Sequence, residues 1–199
     1  MLSVERLQRL SFGPFTLRVA DGECVAVAGP SGSGKSVFLR MIADLDPHLG
    51  TAQLDDVSRE SMAAPRWRRL VTYVAAESGW WEDMVAAHFG ATVESARALL
   101  PAVHLPTEAI GWPVARLSSG ERQRLALVRA LVQEPRALLL DEPTAALDPD
   151  ATQAVEALLH RVLERGASIV LVSHDPRQAD RLAGRQFRME AGQLKARAP

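Results

Sequence analysis

Two rhythms of apolar and polar positions run along the chain. Short apolar or alternating stretches at Phe15–Ala20, Cys24–Ala28, Leu70–Ala75, Ala137–Leu140 and Ser168–Val172 have the length and residue types of strands. Helical spacing of apolar residues recurs over Lys35–Asp44, Glu121–Gln133, Asp150–Arg165 and Pro176–Leu182. Strands that alternate with helices predict an α/β fold with a mostly parallel sheet. The tail Arg185–Leu194 reads as a closing hairpin that turns at Ala191-Gly192. From Glu77 to Arg116 the rhythm changes. This stretch is rich in Ala, helix-prone and punctuated by Pro101, Pro106 and Pro113. It predicts a small, mostly helical subdomain, at about 77–116, inserted into a single domain over 1–199 whose core is 1–76 and 117–199. There is no internal repeat, heptad run or low-complexity segment.

Composition narrows the classes. With 199 residues, 47% hydrophobic and 24% charged, the chain is long enough for one substantial core of ordinary globular type. Lys and Arg total 23 against 24 Asp and Glu, so the basic excess of a nucleic-acid binder is missing and no nucleic-acid partner is expected. The only cysteine, Cys24, rules out an intrachain disulfide, fits a reducing compartment and reads as a small buried filler in a strand. No apolar run approaches the roughly 18–20 residues of a membrane span, and Met1–Arg6 lacks a signal-peptide core. Work at a membrane would therefore need another component as anchor.

The sharpest chemical signal is Gly29-Pro30-Ser31-Gly32-Ser33-Gly34-Lys35-Ser36. It follows an apolar strand and opens a helix, the context in which G-x-x-x-x-G-K-[ST] cradles phosphates. Glycines let backbone N–H groups turn inward, and the helix N-terminus favours an anion. Lys35 brings positive charge to the β- and γ-phosphates, and the Ser36 hydroxyl is a Mg²⁺ ligand. A second signal is the apolar strand Ala137–Leu140 running into Asp141-Glu142. Ligands bind beyond the C-terminal ends of strands in such sheets. Asp141 is thereby a candidate for Mg²⁺, and Glu142 for the general base that polarises an attacking water.

Further segments fit one family in its order. Leu117-Ser118-Ser119-Gly120-Glu121 resembles the L-S-G-G-Q/E signature of ABC-transporter ATP-binding subunits. Arg122–Leu131 looks like the helix behind that signature, and Ala145-Ala146-Leu147-Asp148 is similar to the D-loop. Val172-Ser173-His174-Asp175 resembles the switch-histidine segment, and Val71-Thr72-Tyr73-Val74 the strand before the Q-loop. The resemblance covers almost the whole chain. It implies a P-loop NTPase fold with an N-terminal antiparallel β part and a small helical subdomain, and an ATPase using ATP and Mg²⁺. It also implies a head-to-tail pair, with itself or a related cassette. Ser118, Ser119, Gly120 and Glu121 of one copy would then face the ATP held by the other, with Asp148 crossing the boundary. His174 would contact the γ-phosphate. The helix start at Ser118 and Gly120 supports this with outward N–H groups and a hydroxyl, and a capping box is compatible with it. Asp148 doubles as an N-cap for the helix from Pro149.

The chain departs from the family pattern in three places. Ala76 stands where the Q-loop glutamine is usual, and Glu77, one residue on, is the candidate substitute ligand for Mg²⁺. The N-terminal region is short, which leaves Phe12 as candidate adenine-stacking residue, since Phe15 fits a core position. The subdomain is compact and carries Trp80-Trp81, which cannot easily point both rings into one core; an exposed Trp marks a partner surface, which the resemblance implies is for a transmembrane transporter subunit, and packing within the subdomain is the alternative. The family's setting is cytoplasmic, peripheral on the inner face of the cell membrane. Other readings stay open: a soluble ABC-type ATPase of DNA repair or translation, or a nucleotide-gated regulatory module. Coiled-coil insertions or tandem cassettes, expected of the soluble class, are absent.

Overall fold

The computed structural model describes Met1–Arg197; the last two positions of the expected core lie outside the described residues. In chain order the elements are β1 (Leu2–Arg9), β2 (Phe12–Val19), β3 (Cys24–Ala28), α1 (Lys35–Ile42), β4 (Leu49–Leu54), β5 (Val57–Ser58), α2 (Ala64–Leu70), β6 (Val71–Val74), α3 (Val93–Leu99), α4 (Ser119–Leu131), β7 (Ala137–Asp141), α5 (Pro149–Glu164), β8 (Ser168–Val172), α6 (Pro176–Leu182), β9 (Arg185–Glu190) and β10 (Gln193–Ala196). The fold is α/β. A sheet in the order β10-β9-β3-β8-β7-β6 is parallel except for β10, which closes the expected tail hairpin. A smaller antiparallel sheet runs β2-β1-β4-β5.

The parallel sheet is covered on both faces, which is why its central strands read as continuous apolar runs. On β7, Leu138 and Leu140 pack with Leu125, Leu159 and the residues of 85–117. Their neighbours Ala137 and Leu139 pack on the opposite side with Phe15, Phe38 and Trp67. On β8, Ile169 and Leu171 join the first core, and Val170 and Val172 the second. Cys24 is buried as expected, and burial pushes its thiol pKa up to about 12, so it is an inert filler.

Three elements escape a reading by periodicity. In β1, Leu2 and Val4 are buried and the next inward residue is Leu7, because Arg6 adopts φ 52 and the register slips between Val4 and Leu7. A bulge of this kind breaks the two-residue alternation. β4 buries only Ala52 and Leu54, and α2 buries only Trp67, whose indole N–H donates to the Ile42 carbonyl at 2.9 Å. Neither shows an apolar stripe. The stretch 77–116 has less α-helix than expected: α3 is its only α-helix, and short 3₁₀ turns make up most of the remainder. Pro101, Pro106 and Pro113 each sit at or beside the start of such a turn, where the missing N–H is harmless.

Candidate functional site

The site lies where three neighbouring parallel strands end. β8 pairs with β3 on one side and β7 on the other, so their C-terminal ends align. β3 runs into the glycine-rich loop and α1, β7 ends at Asp141, and β8 leads into Ser173-His174.

The loop is shaped for an anion. Gly32 and Gly34 adopt φ 76 and 103, conformations that cost an L-residue but not glycine. A Cβ on Gly29 would run into the Met189 carbonyl, and one on Gly34 would lie 2.5 Å from the Phe12 ring. Gly34 is the N-cap of α1, with no side-chain cap and no carboxylate in the first turn. The positive end of the helix is thus left for an outside anion. Lys35 Nζ donates to the carbonyls of Gly29 and Pro30 at 2.8 and 3.0 Å. These acceptors are neutral, so its charge is not cancelled by a carboxylate. Ser33 Oγ is buried with no partner. Phe12 and Pro30–Ser33 border a pocket of about 440 Å³ that reaches the Ala191-Gly192 turn.

Asp141 is buried at the strand end, and Tyr73 of β6 donates its hydroxyl to Asp141 Oδ2 at 2.9 Å. Burial, helped by the Asp141 charge, drives the Tyr73 phenol well above its ordinary range, so it remains a donor. Glu142 follows in a left-handed conformation at φ 51, although it precedes Pro143. Residues before proline are ordinarily extended, and a non-glycine left-handed residue costs about 1–2 kcal/mol. Its N–H donates to Val172 O at 2.9 Å, and its Oε2 accepts the His174 N–H at 3.2 Å. His174 Nε2 stands 3.2 Å from Oε1, an ion-pair distance without hydrogen-bond alignment, so Oε1 remains buried and unsatisfied. Burial is the main reason the Glu142 carboxyl titrates above its ordinary value; the His174 contacts partly oppose the rise.

The signature segment is a capping box. Ser118 Oγ accepts from Glu121 N at 3.2 Å, while Glu121 Oε2 takes the Ser118 N–H at 2.8 Å and its hydroxyl at 2.9 Å. One feature differs from the expectation of an outward hydroxyl: that of Ser118 is spent on Glu121. The Cα of Gly120 packs closely, since a Cβ there would lie 2.9 Å from the Ala146 carbonyl. Ser118 and Ser119 are exposed. Asp148 caps α5, its Oδ1 accepting from Ala151 N at 2.8 Å.

The structure thus brings Asp141, Glu142 and His174 to one edge with the loop that holds Lys35 and Ser36. Glu77 is exposed just past β6 and makes no hydrogen bond or ion pair among the described residues. Trp80 packs against the core and Trp81 is 69% exposed. Two further polar residues belong to the site's framework: Tyr73, and Gln123 of α4. Gln123 had a signal in the sequence, since it interrupts the apolar stripe of α4 between Gly120 and Leu127.

The donor set suits Mg²⁺ and a nucleoside triphosphate. Among the described residues no group of three His, Cys, Asp or Glu side chains converges into an all-protein metal cage. Mg²⁺ is commonly held by one or two protein oxygens plus substrate phosphates, and Ser36 with Asp141 fits that habit.

Fold and site together define a P-loop nucleoside triphosphatase. The family profile described as ABC transporter matches residues 12–145. The chain belongs to the ABC transporter family, as one of its ATP-binding cassettes. It is 41% identical over 184 residues to "Aliphatic sulfonates import ATP-binding protein SsuB 2" of Xanthomonas axonopodis pv. citri, a match covering 89% of this chain but 62% of that relative. It is 38% identical over 211 residues to the SsuB 2 protein of Paracoccus denitrificans, covering 100% of this chain and 81% of that one. Among solved structures it superposes on "Structure of ATP binding subunit of ABC transporter" with a TM-score of 0.88 at 24% identity, over 99% of this chain and 89% of that one. It also superposes on "Dimeric structure of a post-hydrolysis state of the ATP-binding cassette MJ0796 bound to ADP and Pi", with a TM-score of 0.85 at 24% identity, over 98% and 96% of the two chains. The last two likenesses speak to fold alone. No helix among the described residues is long and apolar enough to cross a membrane.

Proposed function

We propose that this chain is the ATP-hydrolysing subunit of an ABC importer, working as a head-to-tail pair around two Mg·ATP and driving separate transmembrane subunits from the inner face of the membrane. The observation that carries this reading is the convergence of the phosphate loop, Asp141 and the Glu142–His174 pair at the ends of three adjacent strands. The import names of the relatives support the direction of transport.

In this reading the backbone of Gly32–Ser36 and Lys35 bind the β- and γ-phosphates, with Gly29, Pro30 and Ser31 shaping the cradle. Phe12 borders the side from which the base stacks. Ser36 and Asp141 hold Mg²⁺, which when bound neutralises charge on the phosphates. Tyr73 fixes Asp141 so that one oxygen faces the ligand. Glu142 Oε1, buried and unpaired, accepts the proton of a water as its oxygen attacks the γ-phosphorus. The bond from that phosphorus to the bridging oxygen breaks, releasing ADP and phosphate. His174 orients the γ-phosphate beside that carboxylate. Exposed Ser118 and Ser119, with the N-terminus of α4, meet the γ-phosphate held by the second cassette, and Asp148 lies at that boundary.

The surface for the transmembrane subunit is the groove beside Trp80 and Trp81. Arg68, Arg69 and Arg129 line it, and no carboxylate among the described residues does. The discriminating experiment is ATP retention by the purified protein. The wild type should retain ATP and hydrolyse it with Mg²⁺, and Lys35→Ala should lose at least about tenfold in affinity. Equal retention by both proteins overturns the reading.

A further inference from the structure

Gln123 is 6% exposed on the buried face of α4, and both ends of its carboxamide bind one loop. Nε2 donates to the Glu142 carbonyl at 2.5 Å, and Oε1 accepts the Ala146 N–H at 3.3 Å. The Glu142 main chain is therefore gripped three times, its N–H by Val172 of β8 at 2.9 Å and its carbonyl by Gln123 of α4 at 2.5 Å and, from within the same turn, by the Ala145 N–H at 3.3 Å. Between these grips the residue keeps φ 51 immediately before a proline. Backbone strain of this kind persists only when the surroundings over-determine it. Without Gln123 the carbonyl would keep only the longer bond from Ala145, which belongs to the same loop and moves with it, so the loop could shift from α4 and carry the carboxylate away from His174.

We propose that Gln123 is a positioning residue for hydrolysis, holding the Glu142 peptide in the one conformation from which its carboxylate faces the attacking water. This inference rests on the reading of Glu142 as general base. Gln123 donates to the peptide that bears the base and does not touch the nucleotide. Its second bond ties Ala146, and so the loop that leads to Asp148, to the same helix. The helix that begins at Ser118 and the loop that bears Glu142 are thereby one mechanical unit. A shift of α4 reaches the carboxylate through a single amide.

The test separates donor from acceptor. Gln123→Glu keeps an oxygen for the Ala146 N–H but cannot donate to the Glu142 carbonyl when ionised; Gln123→Leu removes both bonds at similar volume. Loss of a hydrogen bond of this type should lower kcat about tenfold in Gln123→Glu, with KM for ATP within about twofold. In a Glu142→Gln background, where the base is gone, the same change should cost less than about twofold, because the two residues act as one unit. Gln123→Leu should show the same split of kcat from KM, which keeps the test open if one variant folds poorly. Wild-type kcat in both variants, a parallel rise in KM, or an equal loss in the Glu142→Gln background each overturn the proposal. A fully active Glu142→Gln would instead overturn the role of Glu142 itself.

Discussion

His174 meets both oxygens of Glu142: its N–H donates to Oε2 at 3.2 Å, and its Nε2 stands 3.2 Å from Oε1. The backbone of one strand end and the ring of the same residue thus frame a single carboxylate. The frame is half-open, because the His174 side chain is 56% exposed and that of Glu142 is 18% exposed. Water and phosphate can enter from the histidine side, while the carboxylate is shielded from behind.

The raised pKa of Glu142 has two measurable consequences. A carboxyl whose folded pKa lies above its unfolded value binds protons more tightly in the folded protein. Its ionisation then costs stability progressively as pH rises from the unfolded value through the folded one, and the cost is complete only above the folded value. Glu142→Gln removes that charge and keeps an acceptor for the His174 N–H. Thermal unfolding at pH 7.5 should show a higher Tm for this variant, with hydrolysis down by about 10²-fold or more. The wild-type kcat should fall on acidification with a midpoint above the ordinary carboxylate value of 4.5, since the base must be ionised. An acid limb at or below 4.5 would exclude Glu142 as that base.

Tyr73→Phe tests the support of Asp141. The change deletes one hydroxyl that donates to Oδ2 at 2.9 Å and leaves the ring in place. A hydrogen bond to a charged group contributes about 1.5–3 kcal/mol. The Mg²⁺ concentration for half-maximal ATPase activity should rise by about tenfold, and Mg²⁺-free ATP binding should change little. A Mg²⁺ requirement identical to that of the wild type would show that Asp141 needs no such support.

Gly120→Ala probes the contact between the signature helix and the following loop. The new methyl would lie 2.9 Å from the Ala146 carbonyl and 3.2 Å from Leu147 Cδ2. Ala favours the helix by about 1 kcal/mol over Gly, so any destabilisation must come from that clash. The expected outcome is a Tm within a few degrees of the wild type and hydrolysis lowered about tenfold or more, as the loop carrying Asp148 is pushed outward. Unchanged hydrolysis would mean that the loop yields without cost.

Much of this site was legible from sequence because its chemistry is local. The phosphate loop, the pair Asp141-Glu142 and His174 each follow an apolar strand, and in a parallel sheet strand ends meet. The two strands β3 and β8 and the helix α6 stand where periodicity put them, to within a residue. What stayed hidden depends on contacts between distant segments. β1 conceals its pattern behind the bulge at Arg6, and α2 has one buried anchor among arginines. Tyr73 reaches Asp141 across 68 positions, and Gln123 reaches Glu142 across 19. The close approach of Gly120 to the Ala146 carbonyl left no signal, because a glycine at a helix start is equally suited to a ligand outside or a close backbone within.

Glu77 is the remaining expectation about the metal. It is exposed and unpaired among the described residues, one position beyond Ala76, which lacks a side chain able to bind an ion. If Glu77 ligates Mg²⁺, Glu77→Ala should lower kcat about tenfold, and Glu77→Ala with Ala76→Gln should restore part of it. Activity of Glu77→Ala equal to the wild type would end that role and leave Ser36 and Asp141 as the protein ligands.

Arg129 carries the last prediction. Its guanidinium lies 4.7 Å from the Trp80 ring centre and 5.0 Å from that of Trp81, and among the described residues it donates only to the Gly79 carbonyl, at 3.2 and 3.1 Å. Burial pulls its pKa below the ordinary arginine value, and no carboxylate pairs with it among the described residues. A partly buried cation beside an exposed tryptophan, in a groove with Arg68 and Arg69, calls for an acidic side chain from a partner. On the proposed docking surface, exposed Trp81 would be the apolar anchor. Arg129→Met keeps the packing over the indoles and removes the charge; Trp81→Ala keeps the charge and removes the anchor. Each should weaken capture of the transmembrane subunit in detergent by about tenfold, and the Arg129 effect alone should shrink as salt is raised toward ~1 M. Capture as tight as the wild type in both variants would move the contact elsewhere on the cassette.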